Sequence, residues 1–284
     1  MNTRSSNPWK PRRGDRPIPG HSAACAVVVR ARAHGFTLVE LLVVVAILAL
    51  LAGLIAPSLA GARRAAATAA CASNLRQLAL ANHTYAAGNG TFVAAASDIW
   101  SSNLQRWHGA RSKANQAFDA ARGPLAAYVD ERGWIKQCPA FRNPAPGFEA
   151  GCGGYGYNAA GVGSQAYLLG TYQGAHAGMA PEQIADPAGT VMFADTAFAE
   201  TKRGITRLLE YSFAEPYLLI ADNRPVESYP AMPSLHFRHD GHANIAWADG
   251  HVSREPLAHS RSTTHQRHQL GWFGPADNSR FDPY

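Results

Sequence analysis

Residues 36–56 constrain this chain more than any other stretch, because Glu40 is the only charged residue among these 21 positions. An α-helix rises 1.5 Å per residue, so a helix of this length covers the ~30 Å hydrocarbon core of a bilayer. A carboxylate without a partner inside such a helix costs about 2.5 kcal/mol or more. We therefore expect a membrane-spanning helix, and we expect Glu40 to pair with a group from outside the run.

The basic charge of the chain belongs to its N-terminal leader. The net charge is +6, yet residues 1–35 hold seven Lys or Arg residues and a single acid, so the rest of the chain has 19 residues of each sign. Basic residues before an apolar run predict that the N-terminus stays in the cytoplasm and that the following residues are translocated. A basic surface for nucleic acid is not indicated.

The helical pattern continues beyond the apolar run. Residues 62–87 are rich in Ala, and their larger side chains recur every three or four positions, which predicts one face packed against a core. That face carries Cys71, Leu75, Leu78, Asn82 and Tyr85. Further along, residues 190–194 predict a buried strand, and residues 217–221 predict another strand.

The start of the apolar run carries a characteristic order of residues. The sequence Gly35-Phe36-Thr37-Leu38-Val39-Glu40 places the carboxylate at the fifth position of the run, and Pro57 follows at its twenty-second. In this order the chain resembles type IV prepilins and the pseudopilins of type II secretion. The resemblance implies that prepilin peptidase cuts after Gly35 and methylates Phe36, and that Glu40 recruits a subunit through the terminal ammonium of a neighbour. The alternative is a secretory signal peptide cut near residues 58–60.

The chain is expected to contain five segments. They are a cleaved cytoplasmic leader (1–35), a transmembrane and filament-core helix (36–57), its amphipathic continuation (58–90), a globular α+β domain (91–257) and an aromatic C-terminal tail (258–284). The tail packs either on the domain or on a neighbouring subunit. Together with the resemblance, these segments imply a pilin-like α+β fold, in which the long N-terminal helix packs on an antiparallel β-sheet.

The C-terminal part of the domain contains a strong hairpin signal. Residues 244–248 and 251–253 alternate around Asp249-Gly250, which predicts two strands joined by a two-residue turn of type I′. The core face of this hairpin is predicted to carry Ile245, Trp247 and Val252.

The same region resembles the H-x9-DG signature found at the C-terminus of a large group of prepilin-like proteins, often classed as a domain of unknown function. Nine residues separate His239 from Asp249. The signature positions are Arg238, His239, Asn244, Asp249, Gly250 and His251. The resemblance implies a prepilin-like class and does not indicate a reaction.

A group of His and Asp residues leaves a metal or catalytic site open as an alternative. The side chains that could converge are those of His239, His242, Asp249 and His251. His239 and Asp249 could equally form an acid/base pair. We favour a structural interpretation, in which Asp249 and Gly250 form the turn and His239 makes a buried hydrogen bond that holds the hairpin to the preceding loop. Neither catalytic residues nor metal ligands are predicted on this interpretation.

A calcium site is a separate alternative. Major pseudopilins of type II secretion hold calcium in a carboxylate-rich loop, and Asp195, Asp222 and Asp249 are candidate oxygen ligands here. These residues lack the spacing of an EF-hand loop. We therefore predict no cofactor, with calcium and zinc as the alternatives.

Three cysteines follow the apolar run, on the side predicted to be oxidising. Cys138 and Cys152 flank a Pro-rich loop, and a disulfide that closes a loop of about 15 residues stabilises a fold by ~3 kcal/mol in the chain-entropy model. We predict this disulfide, and we predict a buried free thiol at Cys71.

These observations predict a structural protein rather than an enzyme. The apolar run and the basic leader predict a single-pass inner-membrane protein with a periplasmic domain. The resemblance implies that it is a precursor, which assembles through its helix into a pilus or pseudopilus. The resemblance implies that its partners are prepilin peptidase, other pilin or pseudopilin subunits and the inner-membrane assembly machinery, besides membrane lipid. The alternative is a membrane-tethered or secreted periplasmic domain that binds metal or hydrolyses a substrate through the His239 and Asp249 region, although the sequence has no G-x-S-x-G, H-E-x-x-H or P-loop motif.

Overall fold

The structure is a computed structural model that describes residues 35–129, 135–165, 176–221 and 224–284. The predicted leader, apart from Gly35, lies outside these residues, as does Asp222. The chain divides into two compact units, Met1–Gly53 and Leu54–Tyr284, which are described separately.

One long helix precedes a series of short strands. The α-helices are α1 (Leu38–Asn89), α2 (Ala126–Val129) and α3 (Thr263–Arg267), and short 3-10 helices span Ala120–Arg122 and Pro181–Gln183. The strands are β1 (Gln105–Arg106), β2 (Gly109–Ala110), β3 (Tyr155–Tyr157), β4 (Val191–Asp195), β5 (Phe198–Lys202), β6 (Ile205–Leu209), β7 (Leu218–Ala221), β8 (Arg224–Pro230), β9 (Leu235–His236), β10 (His242–Trp247), β11 (Val252–Pro256) and β12 (Leu270–Gly271). All the pairings between these strands are antiparallel. This architecture confirms the predicted α+β class and is consistent with a pilin-like fold.

Helix α1 continues without interruption across the expected segment boundary at residues 57 and 58. Within Leu54–Tyr284, the predicted core face of the helix is buried, with Tyr85 half-buried at its end. The helix ends before Gly90, whose φ of 78° is a left-handed conformation that glycine adopts without strain.

The sheet that packs against α1 has four strands in the order β11-β10-β4-β3. All five residues of β4 are buried, which confirms the strand predicted at residues 190–194. Its apolar run is continuous because both faces of the strand are covered. Polar contacts also join the helix to the sheet: Asn74 Nδ2 donates to Tyr155 Oη at 3.0 Å, and Asn82 Nδ2 donates to Tyr157 Oη at 2.9 Å.

A second core covers the opposite face of the sheet. It contains Ala194 from β4 and Ile245 from β10, and the C-terminal segment adds Trp272, Phe273 and Phe281. These aromatic side chains are almost fully buried in the chain's own domain. The structure therefore decides between the two packing sites that the sequence left open for the tail.

The predicted hairpin forms between β10 and β11, but its turn is not the predicted two-residue type I′ turn. Ala246 pairs with Val252, and the backbone N–H of Trp247 donates to the carbonyl of His251 at 3.0 Å, so three residues form the loop between them. Within this loop, a positive φ occurs at Gly250 (90°). The additional residue changes the register, so Val252 shares a face with Ala246 rather than with Trp247 as predicted.

The structure does not contain the predicted disulfide between Cys138 and Cys152. Both residues are free, buried thiols. The physical reason is the orientation of Cys138, whose sulfur lies 3.6 Å from Nε2 of His239. Cys71 is also a buried free thiol, as predicted.

Candidate functional site

The first turn of α1 holds Glu40 in a reciprocal pair of hydrogen bonds with Thr37. Glu40 Oε2 accepts from the backbone N–H and from the hydroxyl of Thr37, each at 2.8 Å. Thr37 Oγ1 accepts from the backbone N–H of Glu40 at 3.2 Å. This arrangement is a capping box, which satisfies N–H groups that the start of a helix leaves unpaired. Glu40 therefore has hydrogen-bond donors within its own chain, but none of these donors is a cation.

The sequence contains a signal for this contact that the predictions above do not use. A Thr followed three residues later by a Glu, immediately before an apolar run, is the typical pattern of a capping box. The pattern places the helix start at Leu38, as the structure has it.

The apolar side chains that follow Glu40 are exposed over residues 41–56. Among the described helices, α1 is the one that is long and apolar enough to cross a membrane, by length and composition. Lipid or the apolar helices of other subunits would cover such a surface. The N-terminal part of α1 is thus a candidate membrane anchor.

A second candidate site is a buried polar cluster within Leu54–Tyr284. We call it the Asp195 cluster, and its members are Cys71, Cys138, Asp195, Arg238 and His239. Asp195 Oδ1 accepts from Arg238 Nη2 at 3.1 Å and from Cys71 Sγ at 3.0 Å. Asp195 Oδ2 accepts from the backbone N–H of Asn244 at 2.8 Å. The carboxylate at the end of β4 is therefore the centre of the cluster.

His239 connects this cluster to helix α1. Its Nε2 lies 3.2 Å from Asp195 Oδ2, and its Nδ1 lies 3.1 Å from Thr68 Oγ1. The Thr68 hydroxyl donates its proton to the carbonyl of Arg64 at 3.0 Å, so Thr68 accepts from Nδ1–H of the histidine. Nε2 is therefore the ring atom of His239 that faces the Asp195 cluster.

Neighbouring charges control ionisation in the cluster. Burial raises the pKa of Asp195, but Arg238 and His239 offset this effect and lower the pKa to about 2. Burial lowers the pKa of His239, whereas hydrogen bonds to Asp195 and Cys138 raise it to about 9. The neighbouring Cys71 thiol and His239 lower the pKa of Cys138 to about 5 against the effect of burial, and burial raises the pKa of the Cys71 thiol. At neutral pH, two anions therefore balance two cations.

The positions of the H-x9-DG pattern separate into two places. Arg238 and His239 belong to the Asp195 cluster. Asp249 and His251 lie at the tip of the β10–β11 hairpin, where Asp249 Oδ1 accepts from the backbone N–H of His251 at 3.0 Å and lies 2.7 Å from its Nδ1. The role predicted for Asp249 in the turn agrees with these contacts.

The other ligand sets considered from the sequence do not come together. His239 contacts Asp195 rather than Asp249. The geometry therefore does not support an acid/base pair of His239 and Asp249, or a metal site that contains both residues. The side chain of His239 contacts β4 and α1, whereas its backbone carbonyl accepts from Arg254 Nη2 of β11 at 2.7 Å. The predicted hydrogen bond between His239 and the hairpin is therefore made by the backbone. For calcium, Asp195 lies beside the start of β10 and Asp249 lies beyond its end at Trp247, so these two carboxylates are at opposite ends of the strand.

The sequence does not predict that the side chains of the Asp195 cluster come together. Along the chain, each member of the cluster other than Arg238 lies 44 to 67 residues from the next one. Metal sites that can be read from a sequence have ligands only a few residues apart. The folding of α1 onto the sheet is what brings these side chains together.

Comparison with known proteins identifies the N-terminal segment. Residues 30–56 match the family model described as "Prokaryotic N-terminal methylation motif". Searches among curated proteins and among solved structures found no match. The motif, together with a long N-terminal helix and antiparallel sheets, supports a type IV pilin-like protein. More narrowly, it supports a precursor of the pilin or pseudopilin type, which points to a structural subunit rather than an enzyme.

Proposed function

We propose that this chain is the precursor of a pseudopilin or prepilin-like structural subunit. Prepilin peptidase cuts it after Gly35 and methylates Phe36, and α1 then assembles with other subunits into a pilus or a type II secretion-like pseudopilus. The match to the methylation motif at residues 30–56 is the observation that carries this proposal. The basic leader supports a cytoplasmic N-terminus and a periplasmic domain in the inner membrane.

The backbone around Gly35 supports cleavage at this position. Residues 35–37 precede the first helical residue, Leu38, and the first helical hydrogen bond, from the N–H of Leu41 to the carbonyl of Thr37, lies beyond the bond between Gly35 and Phe36. Gly35 is exposed, and space for a Cβ atom at this glycine is open. Exposed segments outside regular structure are the usual substrates of proteases.

The contacts of Glu40 support a role in assembly. Thr37 supplies two hydrogen bonds but leaves the negative charge of Glu40 uncompensated. Inside an apolar environment such a charge costs about 2.5 kcal/mol or more unless a cation pairs with it. The ammonium group that cleavage creates at Phe36 of a neighbouring subunit is a suitable cation. Pairing of this kind also fixes the register between neighbouring helices, as single buried polar groups do in coiled coils.

The alternative of a hydrolytic domain has less support. It depended on His239 and Asp249 acting together, and the structure gives each of them a different partner. Metal binding by His239 does not require Asp249.

Processing is tested with two matched glycine substitutions. Gly35→Leu should leave full-length precursor in cells that contain prepilin peptidase. Gly53→Leu, at another exposed position with open space, should be processed normally. Mass spectrometry of the mature wild-type chain should find a methylated Phe36 at the N-terminus. A mature N-terminus near residues 58–60 would instead identify a secretory signal peptide and refute the proposal.

Assembly is tested with three substitutions at the start of α1, two at Glu40 and one at Thr37, which precedes the helix. Glu40→Leu and Glu40→Gln should both insert into the membrane and fail to assemble, because both remove the charge. Thr37→Val keeps the charge and removes only the hydroxyl of the capping box, so it should retain most assembly. Alkaline extraction of membranes reports insertion, and crosslinking of sheared filaments reports assembly. If Glu40→Gln assembles as well as the wild type, the charge-pairing role is wrong.

A further inference from the structure

We propose that Cys71, Cys138, Asp195 and His239 are the four ligands of a structural zinc site that fastens helix α1 to the sheet. This inference goes beyond the proposed function and does not depend on it, because all four residues lie in Leu54–Tyr284. Loss of cleavage at Gly35 would leave it intact.

The geometry of the donor atoms suits zinc. One ligand atom from each of the four side chains lies within 4.8 Å of all the others, and all four residues are buried. Tetrahedral zinc, with bonds of about 2.3 Å to sulfur and about 2.0 Å to nitrogen or oxygen, separates its ligand atoms by about 3.2–3.8 Å. His239 Nε2 lies 3.6 Å from Cys138 Sγ and 3.2 Å from Asp195 Oδ2, within this range. Cys71 Sγ lies 3.0 Å from Oδ1, the other oxygen of the Asp195 carboxylate. Because one ligand atom of each residue lies within 4.8 Å of the other three, binding of zinc through Oδ2 requires only a local adjustment of these side chains.

The chemistry of the donors selects the metal. Two thiolates and an imidazole are soft or borderline ligands, which favour zinc over calcium or magnesium. All four positions of a tetrahedron are supplied by the protein, and none is left for water. Closed sites of this kind are structural rather than catalytic.

Groups around the ligands hold them in position, as they do in known zinc sites. Thr68 accepts from Nδ1–H of His239, which leaves the lone pair of Nε2 for the metal. The backbone N–H of Asn244 and the guanidinium of Arg238 each bind one oxygen of Asp195. These contacts fix the histidine tautomer and the orientation of the carboxylate.

The charges of the cluster also balance with zinc bound. Two thiolates and one carboxylate carry three negative charges, and Zn²⁺ together with Arg238 carries three positive charges. A buried site with no net charge avoids a large desolvation cost. Zinc therefore replaces two protons, one from the Cys71 thiol and one from the His239 imidazolium, and the net charge is unchanged.

The location of the ligands explains what the metal would do. Cys71 belongs to α1, Asp195 ends β4, and Cys138 and His239 lie in loops before β3 and β10. One ion would connect the helix to three other parts of the domain. The competing state is a disulfide between Cys71 and Cys138. It would use only the two sulfur atoms and would not explain why His239 and Asp195 lie beside them.

The test uses the full chain, extracted in detergent with a phosphine reductant and incubated with zinc sulfate. After removal of loose metal, elemental analysis should find about one zinc per chain in the wild type. Cys138→Ala should hold at least about tenfold less zinc. Cys152→Ala is the matched control, since it removes a buried free thiol outside the cluster, and it should keep the wild-type content.

Two measurements keep the proposal falsifiable if Cys138→Ala fails to fold. X-ray absorption of the wild type should show about two sulfur ligands at about 2.3 Å and two lighter ligands at about 2.0 Å. Thr68→Val keeps every ligand and should weaken zinc binding about 10-fold to 100-fold. The proposal would be overturned if the wild type held no zinc or if its spectrum showed no sulfur ligands. It would also be overturned by equal losses of zinc in Cys138→Ala and Cys152→Ala, or by a Cys71–Cys138 disulfide in protein isolated without reductant.

Discussion

The buried ion pair between Arg106 and Glu149 supports a quantitative prediction about stability. Arg106 Nε and Nη2 both donate to the Glu149 carboxylate, at 2.8 to 3.1 Å, and each side chain is only 3% exposed. Ser212 Oγ donates to the same carboxylate at 2.7 Å. We expect Glu149→Gln to destabilise the domain strongly, because it leaves the Arg106 charge buried without a counterion.

The magnitude follows from the burial of the pair. Breaking a buried ion pair by removal of one partner costs about 3–5 kcal/mol. For a domain of this size, each kcal/mol lowers Tm by about 2–4 °C, so Glu149→Gln should lower Tm by roughly 6–20 °C. Glu200→Gln is the matched control, since Glu200 forms a 2.8 Å pair with Lys202, whose side chain is 76% exposed. Exposed pairs contribute about 0–1 kcal/mol, so the control should lower Tm by no more than about 4 °C.

The dependence on pH separates lost charge from altered packing. Burial raises the pKa of Glu149, but the neighbouring His108 and Arg106 offset this and hold it below its ordinary value of 4.5. A depressed carboxyl pKa stabilises the fold at pH values above the ordinary value, and this contribution is lost as pH falls below 4.5. The Tm difference between wild type and Glu149→Gln should therefore be constant above about pH 5 and should narrow below 4.5.

The assay is thermal unfolding of the full chain in detergent, followed by tryptophan fluorescence. Trp107 is a suitable reporter because it is fully buried and donates to the carbonyl of Ser212, whose side chain binds Glu149. A Tm difference that is the same at pH 7 and pH 3.5 would refute the electrostatic reasoning. So would a loss in Glu149→Gln no larger than that in Glu200→Gln.

Two other substitutions test how single residues position the fold. Asn82→Ala should destabilise the domain by about 2–4 kcal/mol, because the buried N–H of Val93 and the hydroxyl of Tyr157 each lose a hydrogen-bond partner. Chemical denaturation measures this loss, and a value below about 1 kcal/mol would contradict the account. Gly250→Ala should lower the free energy of unfolding by about 1 kcal/mol, because φ is 90° at this position. The control is Gly88→Ala, at an exposed helical position with open space, which should be neutral or stabilising by up to about 1 kcal/mol. Equal effects of the two substitutions would contradict the role of backbone conformation.

The parts of the fold that the sequence predicts correctly have local causes. The core face of α1 follows from a spacing of three or four residues, and β4 follows from a continuous apolar run between turn residues. The hairpin is predicted at the correct place for the same reason. Its predicted turn type and register are wrong, because Asp249-Gly250 suits both a two-residue turn and a three-residue loop that ends in a left-handed glycine. Pairing of β10 with β4, which is irregular between Ala246 and Trp247, accompanies the observed register.

The sequence by itself determined what can be said of membrane insertion and processing at the N-terminus. The apolar run, its single carboxylate and the residues around Gly35 are enough to indicate a pilin-like precursor, since insertion and processing depend on contiguous residues. Only the tertiary structure decided which polar side chains meet. Cys138 faces His239 rather than Cys152, although Cys152 is only 14 residues away in the chain. Partners of this kind depend on how α1 packs on the sheet, and that packing is the sum of many contacts between residues far apart in sequence, which no local spacing records.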